Sequence, residues 1–349
     1  MFSDASQKRR GGRFCEASLN TTGKNAVKSK NITYLPAIDH LRAFAALLII
    51  FYHGLHVIAS TLLYGTMPQT ENWPRVRNPL TAFLIEGHTA VALFMVLSGF
   101  IFTFGCEGKT IAYGRFLANR SIRIFPLFLF MLLFGVSCYP AGYTLLGLAQ
   151  AVLLQANLPG TANCGPFTAM FWTVSVEFQF YLIFPFLLVF ANRYGIRYLL
   201  GLTALFVGFR LLTALDPSLA KERWALSYFT IVGRIDQFLL GMIAAKCFVR
   251  FPELIRRLRS LLPLAAAAVV GVMSGFHLLG YHVAKPQPWI LLVWSTVEGA
   301  VWASFLLVYV SFAPLIPQLV SRVFCYLGSI SFSIYLVHMI VLQYAVCGT

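Results

Sequence analysis

Runs of about 20 mostly apolar residues recur along nearly the whole chain after Tyr34, and each is long enough to cross a hydrocarbon core of roughly 30 Å. The expected fold is therefore all-α, a polytopic bundle of about nine to ten transmembrane helices. Composition agrees: 58% of the 349 residues are hydrophobic and 11% charged, against roughly a quarter charged in a soluble domain. One membrane-embedded domain, 34–349, is expected, with the lipid bilayer as its solvent. A formal charge of +15 would suit a nucleic-acid partner, but 15% aromatic residues and a mean hydropathy of +0.75 do not fit a soluble basic domain. No nucleic acid is expected, and the charge has a topological use instead.

Residues 1–33 carry Lys8, Arg9, Arg10, Arg13, Lys24, Lys28 and Lys30 against Asp4 and Glu16, and read as a disordered basic tail. The tail lacks the short apolar core and small-residue cleavage site of a signal peptide, so the first apolar segment is expected to stay as a helix. Spans are predicted near 40–62, 81–104, 121–139, 171–191, 197–213, 226–247, 261–280, 289–311 and 323–346. With the tail in the cytoplasm, the inner loops hold Lys109, Arg115 and Arg120, then Arg193 and Arg197, then Lys246, Arg250, Arg256, Arg257 and Arg259, and last Arg322. The outer loops are poorer, and 140–170 has no charged residue at all. That asymmetry places the N-terminus inside. The apolar stretch 144–156 is too short to span, so an interfacial or re-entrant helix is expected there.

The seven cysteines form no CxxC pair, and no metal site is readable. Cys138 and Cys164 fall at or beyond the outer end of a helix, where an oxidising compartment would allow a disulfide. No paired broken segments of a transporter repeat are visible.

Ionisable groups inside a bilayer are costly and suggest function by default. In the first span Arg42 and His53 are eleven residues apart, three helical turns plus about 20°, so they share a face with about 16 Å between them along the axis. Arg42 then sits at the cytoplasmic mouth and His53 past the midplane. A neutral imidazole is favoured where charge is poorly solvated, and it suits accepting a proton from a hydroxyl. The competing reading is a snorkelling Arg42 and a His53 bonded to a neighbouring helix. In the fourth span Glu177 lies at a depth similar to His53, so the two could meet. Ser175 and Gln179 make one polar row there, better suited to helix-to-helix bonding, and Glu177 and Tyr181 another. Arg115, Arg120 and Arg123 crowd the inner end of the third span, where guanidinium groups would grip a phosphate. Arg234 and Asp236 in span six either neutralise each other or find partners across the bundle. Glu298 in span eight stands alone in the sequence. His338 lies in span nine, and His40, His56 and His88 near span ends.

These residues sit in segments with a family resemblance. "LRAFAALLIIFYH" resembles the arginine-to-histidine signature in the first helix of the acyltransferase 3 family, membrane O-acyltransferases that modify cell-surface polysaccharides and other acceptors. "GHTAVALFMVLSGFIF", "FLANRSIRIFPLF", "WTVSVEFQFYLIFP", "GRIDQFLLG" and "LGSISFSIYLVH" follow in the family's order, so the resemblance runs from about residue 34 to 342. It implies transfer of an acyl group, usually acetyl, from cytoplasmic acyl-CoA to a hydroxyl of a glycan or lipid-linked glycan. By the same resemblance His53 and Arg42 match the essential first-helix pair, Glu177 the span-four carboxylate, and Arg120 and Arg123 the basic third-helix motif that would meet the CoA phosphates. His53 would act as general base or take the acyl group itself, with Glu177 orienting or charge-balancing it. Acetyl-CoA would be a donor substrate, and no permanently bound cofactor is expected. Family members usually have about ten spans, and some carry a further extracytoplasmic esterase-like domain. The last apolar run here ends near the final residue, so direct delivery to the acceptor is expected. The expected location is the inner membrane of a bacterium. A membrane transporter for a glycan or small molecule, using Glu177 and Arg234 in its pathway, is the competing class.

Overall fold

The computed structural model describes residues 34–65, 74–158, 165–220, 223–279 and 288–347. The tail 1–33 and Cys164, on which the expected disulfide to Cys138 depends, lie outside these residues. Among the described residues all regular structure is helical. Seven helices among the described residues are long and apolar enough to cross a bilayer, and a bent pair makes an eighth candidate.

The first span is α1 (Pro36–Tyr64). Proline fits its first turn, where an N–H would have no helical partner, and Gly65 closes it in the left-handed conformation with its N–H on the Thr61 carbonyl. At 1.5 Å per residue it is about 43 Å long, enough to project beyond the hydrocarbon core. The end at which α1 begins is called inner below.

The second span, expected unbroken over 81–104, is divided. A short α2 (Pro79–Ile85), capped by the Asn78 side chain on the Leu80 and Thr81 amides, stops at Glu86, and after one 3-10 turn the chain resumes as α3 (Ala90–Gly105). The third span is α4 (Tyr113–Cys138). Next comes α5 (Leu145–Val152), eight residues long and about 12 Å, too short to cross. The chain after it turns back onto α6 (Phe171–Tyr194): the Ala156 amide donates to Ser175 Oγ at 3.0 Å, and the Asn157 and Gln179 amides pair at 2.8 and 3.2 Å. Ser175 and Gln179 thus tie a loop to a helix.

Gly195 separates α6 from α7 (Ile196–Leu212). The span expected over 226–247 is again two helices, α8 (Arg223–Phe229) and α9 (Ile231–Arg250). Thr230 lies at the break, and its hydroxyl accepts from the Gly233 amide. A short α10 (Pro252–Arg257) leads into α11 (Leu262–Leu278), which is followed by α12 (Pro288–Phe312). The last span is bent by 68° between α13 (Gln318–Ser329) and α14 (Ser331–Cys347).

Helix α3 is central: the segment Gly87–Gly105 that contains it is mostly buried, whereas Ile196–Leu215, which contains α7, is mostly exposed at the rim. The rim helices turn Phe130, Leu133, Leu205, Phe209 and Leu264 outward, as expected where the solvent is lipid. Against α3 lies α9, the main part of the predicted sixth span, with Arg234, Asp236 and Gln237 all buried. Two glycines permit this packing. A Cβ on Gly99 would fall 2.0 Å from the Phe238 carbonyl oxygen, and one on Gly241 2.1 Å from that of Val96. Where lipid offers helices no hydrophobic drive to associate, such backbone contact is a main source of attraction. It brings the charges of α9 into the middle of the bundle.

Candidate active site

A cavity opens between α1, α3, α6 and α14, with about 590 Å³ of empty space including its mouth. Arg42, in the second turn of α1, lines one part of it. Ser98 comes from α3, Thr173 and Glu177 from the first two turns of α6, and Ser331, Phe332 and Tyr335 from just beyond the bend at the start of α14. The bend is what lets α14 contribute here. His40 helps to hold α13 beside α1, with one ring nitrogen 2.9 Å from Ser321 Oγ and the other 3.2 Å from the Tyr309 hydroxyl.

The charged groups around this cavity are sparsely bonded. Arg42 has its closest carboxylate, Asp39, at 3.7 Å. Arg120 lies over the rings of Phe102 and Phe116 at 4.9 and 5.9 Å, and its Nε has no hydrogen-bond partner among the described residues. Arg123 feels the positive charges of Arg42 and Arg120 and the opposite charge of Glu177. Oε1 of Glu177 accepts hydrogen bonds from Ser98 Oγ at 2.7 Å and from the Tyr181 hydroxyl at 2.5 Å. Three guanidinium groups around one carboxylate leave a positive surplus, suited to a phosphate-bearing ligand.

His53 does not meet Glu177, although their depths suggested it. No hydrogen bond or ion pair joins them; the two side chains face different neighbours. Nδ1 of His53 lies 2.9 Å from Nε2 of His338, and Nδ1 of His338 lies 2.7 Å from the Tyr335 carbonyl oxygen. Tyr335 also faces the cavity, and its hydroxyl is 2.8 Å from Thr173 Oγ1. His53 is thus connected to the cavity through α14 rather than through α6.

A second polar region fills the outer part of the bundle. Arg210 and Asp236, both fully buried, pair at 2.7 Å. Arg210 also donates to the Gly233 carbonyl, to Thr296 Oγ1 at 2.8 Å and to Ser295 Oγ. Arg234 does not pair with Asp236: it bonds the Tyr228 carbonyl at 2.9 Å and Glu298 at 3.3 Å, and stacks on the Tyr228 ring at 4.3 Å. Glu298, solitary in the sequence, therefore has company, including His88 at 3.8 Å. His88 is buried within this network rather than lying idle at a span end, and Glu86, at the break before α3, bonds His277 at 2.8 Å. Tyr52 links the region to the histidine pair, its ring centroid 4.6 Å from that of His53 and 5.8 Å from that of His88.

Arg210, Glu86 and His277 did not stand out in the sequence. A usable signal existed for Glu86, a lone carboxylate within an apolar run; Arg210 and His277 resemble ordinary residues of a helix end.

The sequence profile of a family described as "Acyltransferase domain" matches residues 35–345. The protein described as Acyltransferase MdmB, from Streptomyces mycarofaciens, is 28% identical over 338 residues, covering 90% of this chain and 80% of its own length. No solved structure matches.

Proposed function

Since the chain belongs to the acyltransferase 3 family and is an acyltransferase, we propose that it moves an acetyl group from cytoplasmic acetyl-CoA to a hydroxyl of a surface or exported glycan, working in the inner membrane of a bacterium with its N-terminus inside. The observation that carries the reading is a sparsely bonded Arg42 in the wall of a cavity, with Arg123 and Arg120 close to it, and a hydrogen-bonded link from Tyr335 in the same wall through His338 to His53. Phosphates of the donor bind among these arginines, which otherwise lack good acceptors. The pantetheine arm follows the cavity past Ser98 and Thr173, carrying the thioester toward α14. Glu177 limits the positive surplus, holds Ser98 in the wall and accepts from Tyr181 one turn further along α6.

At the reacting end His53 acts as general base. The acceptor oxygen attacks the thioester carbonyl carbon while its proton passes to the imidazole. The tetrahedral intermediate then collapses with cleavage of the C–S bond, and the imidazolium returns the proton to the departing thiolate. Ester and free CoA are the products, and His53 is restored. A bilayer-spanning site suits this reaction because donor and acceptor approach from opposite sides.

The test is reconstitution in liposomes with radiolabelled acetyl-CoA and de-esterified surface polysaccharide from the cells that make the protein. CoA release should require the polysaccharide, label should enter it, and His53→Ala should abolish both. Equal glycan acetylation in cells with and without the protein would overturn the reading.

A further inference from the structure

We propose that His338 is a positioning residue that fixes the tautomer of His53, so that Nε2 of His53 carries the lone pair used as base. The inference rests on the reading of His53 as general base. It follows from hydrogen-bond direction along one short chain. The Tyr335 carbonyl can only accept, so the Nδ1 of His338, 2.7 Å away, must carry a proton. A neutral imidazole has one N–H, which leaves Nε2 of His338 as an acceptor. Its partner 2.9 Å away, Nδ1 of His53, must then be the donor. With its proton on Nδ1, His53 keeps the lone pair on Nε2.

The geometry suits this bond. The ring centroids are 5.0 Å apart with the planes inclined at 33°, so the imidazoles meet nitrogen to nitrogen rather than face to face. His338 is itself buried, held by the helix that bends beside the cavity. In a hydrolytic triad a carboxylate performs the same orienting task. Here a carboxylate would leave a negative charge inside the membrane whenever His53 is neutral, at a cost an imidazole avoids. Once Nε2 has taken the acceptor's proton, the Nδ1–H of the imidazolium still points at the His338 lone pair, which stabilises the positive charge where it forms.

His338→Phe keeps a ring in place but removes the acceptor, and His338→Gln restores a carbonyl oxygen within reach of His53. In proteoliposomes with acetyl-CoA and de-esterified polysaccharide, the Phe variant should lose about a hundredfold in kcat, with KM for both substrates within about twofold of wild type. The Gln variant should recover at least about tenfold of that loss. A role in packing alone predicts no such recovery. A monodisperse Phe variant with wild-type kcat, or a Gln variant no better than Phe, would overturn the proposal. His53→Ala in the same assay separates the two readings: if it is inactive while the Phe variant is normal, only the role of His338 fails. If it turns over like wild type, the reading of His53 as base fails, and this inference with it.

Discussion

The bundle holds two sets of arginines that look alike in sequence and are treated in opposite ways. Around the outer network Arg210, Arg223 and Arg234 are buried and each has several acceptors, although Nε of Arg210 has no hydrogen-bond partner among the described residues. Arg210 has a carboxylate, a carbonyl and two hydroxyls, Arg223 three backbone carbonyls, and Arg234 a carbonyl, a carboxylate and an aromatic face. Around the cavity Arg42, Arg120 and Arg123 have no close ion pair among the described residues; the nearest carboxylate to Arg42 is 3.7 Å away. A buried charge held by a carboxylate or several carbonyls of the fold belongs to the architecture. One that lacks acceptors is suited to a ligand that brings them.

The comparison breaks most visibly at Arg210. Its replacement by Ala strands Asp236 in the bundle centre, and loss of one partner from a buried pair costs about 3–5 kcal/mol. The expected result is a large fall in thermal stability in detergent, with little protein recovered as a monodisperse peak. The double variant Arg210→Met, Asp236→Leu removes both charges together and should recover most of that stability, as apolar replacement of a whole pair often does. A double variant as unstable as the single one would mean that the network does more than neutralise charge.

Effects at the cavity should be of another kind. Arg42→Ala and Arg123→Ala remove no good internal bond, so melting temperatures should stay near wild type. Loss of a charged hydrogen bond to phosphate, about 1.5–3 kcal/mol, should raise KM for acetyl-CoA more than tenfold. Equal destabilisation by both sets of substitutions would erase the distinction. The smallest effect is expected at Ser175→Ala. It removes one acceptor from the Ala156 amide and should cost about 1 kcal/mol, read as a small drop in melting temperature with donor KM unchanged.

Much of the site was legible because lipid makes charge conspicuous. Arg42, Arg120, Arg123, His53 and Glu177 stood out as ionisable groups in apolar runs, and four of them gather around one cavity or its charges. What misled was depth. Counting residues from the span ends put His53 and Glu177 at one level, but Glu177 shares its cavity with Arg42, eleven residues inward of His53, and counting says nothing about the azimuth at which side chains leave their helices. His53 turns to α14, and Glu177 to α3 and its own next turn. The same limit hid the companions of Glu298, which come from α9 and from the break before α3.

Run length and residue chemistry along the chain suffice for a membrane bundle, because a span is a one-dimensional requirement: enough consecutive apolar residues to replace water with lipid. They also suffice to mark residues too costly to be there without a reason. Which of those residues are satisfied by the fold and which are left for a substrate is decided only when helices meet. A hydrogen bond depends on direction and on distances of a few ångströms, and both are set by bends such as the one before Ser331 and by glycine contacts such as those of Gly99 and Gly241. The membrane-crossing runs thus belong to the chain alone, and the pairing of His53 with His338 only to the packed helices.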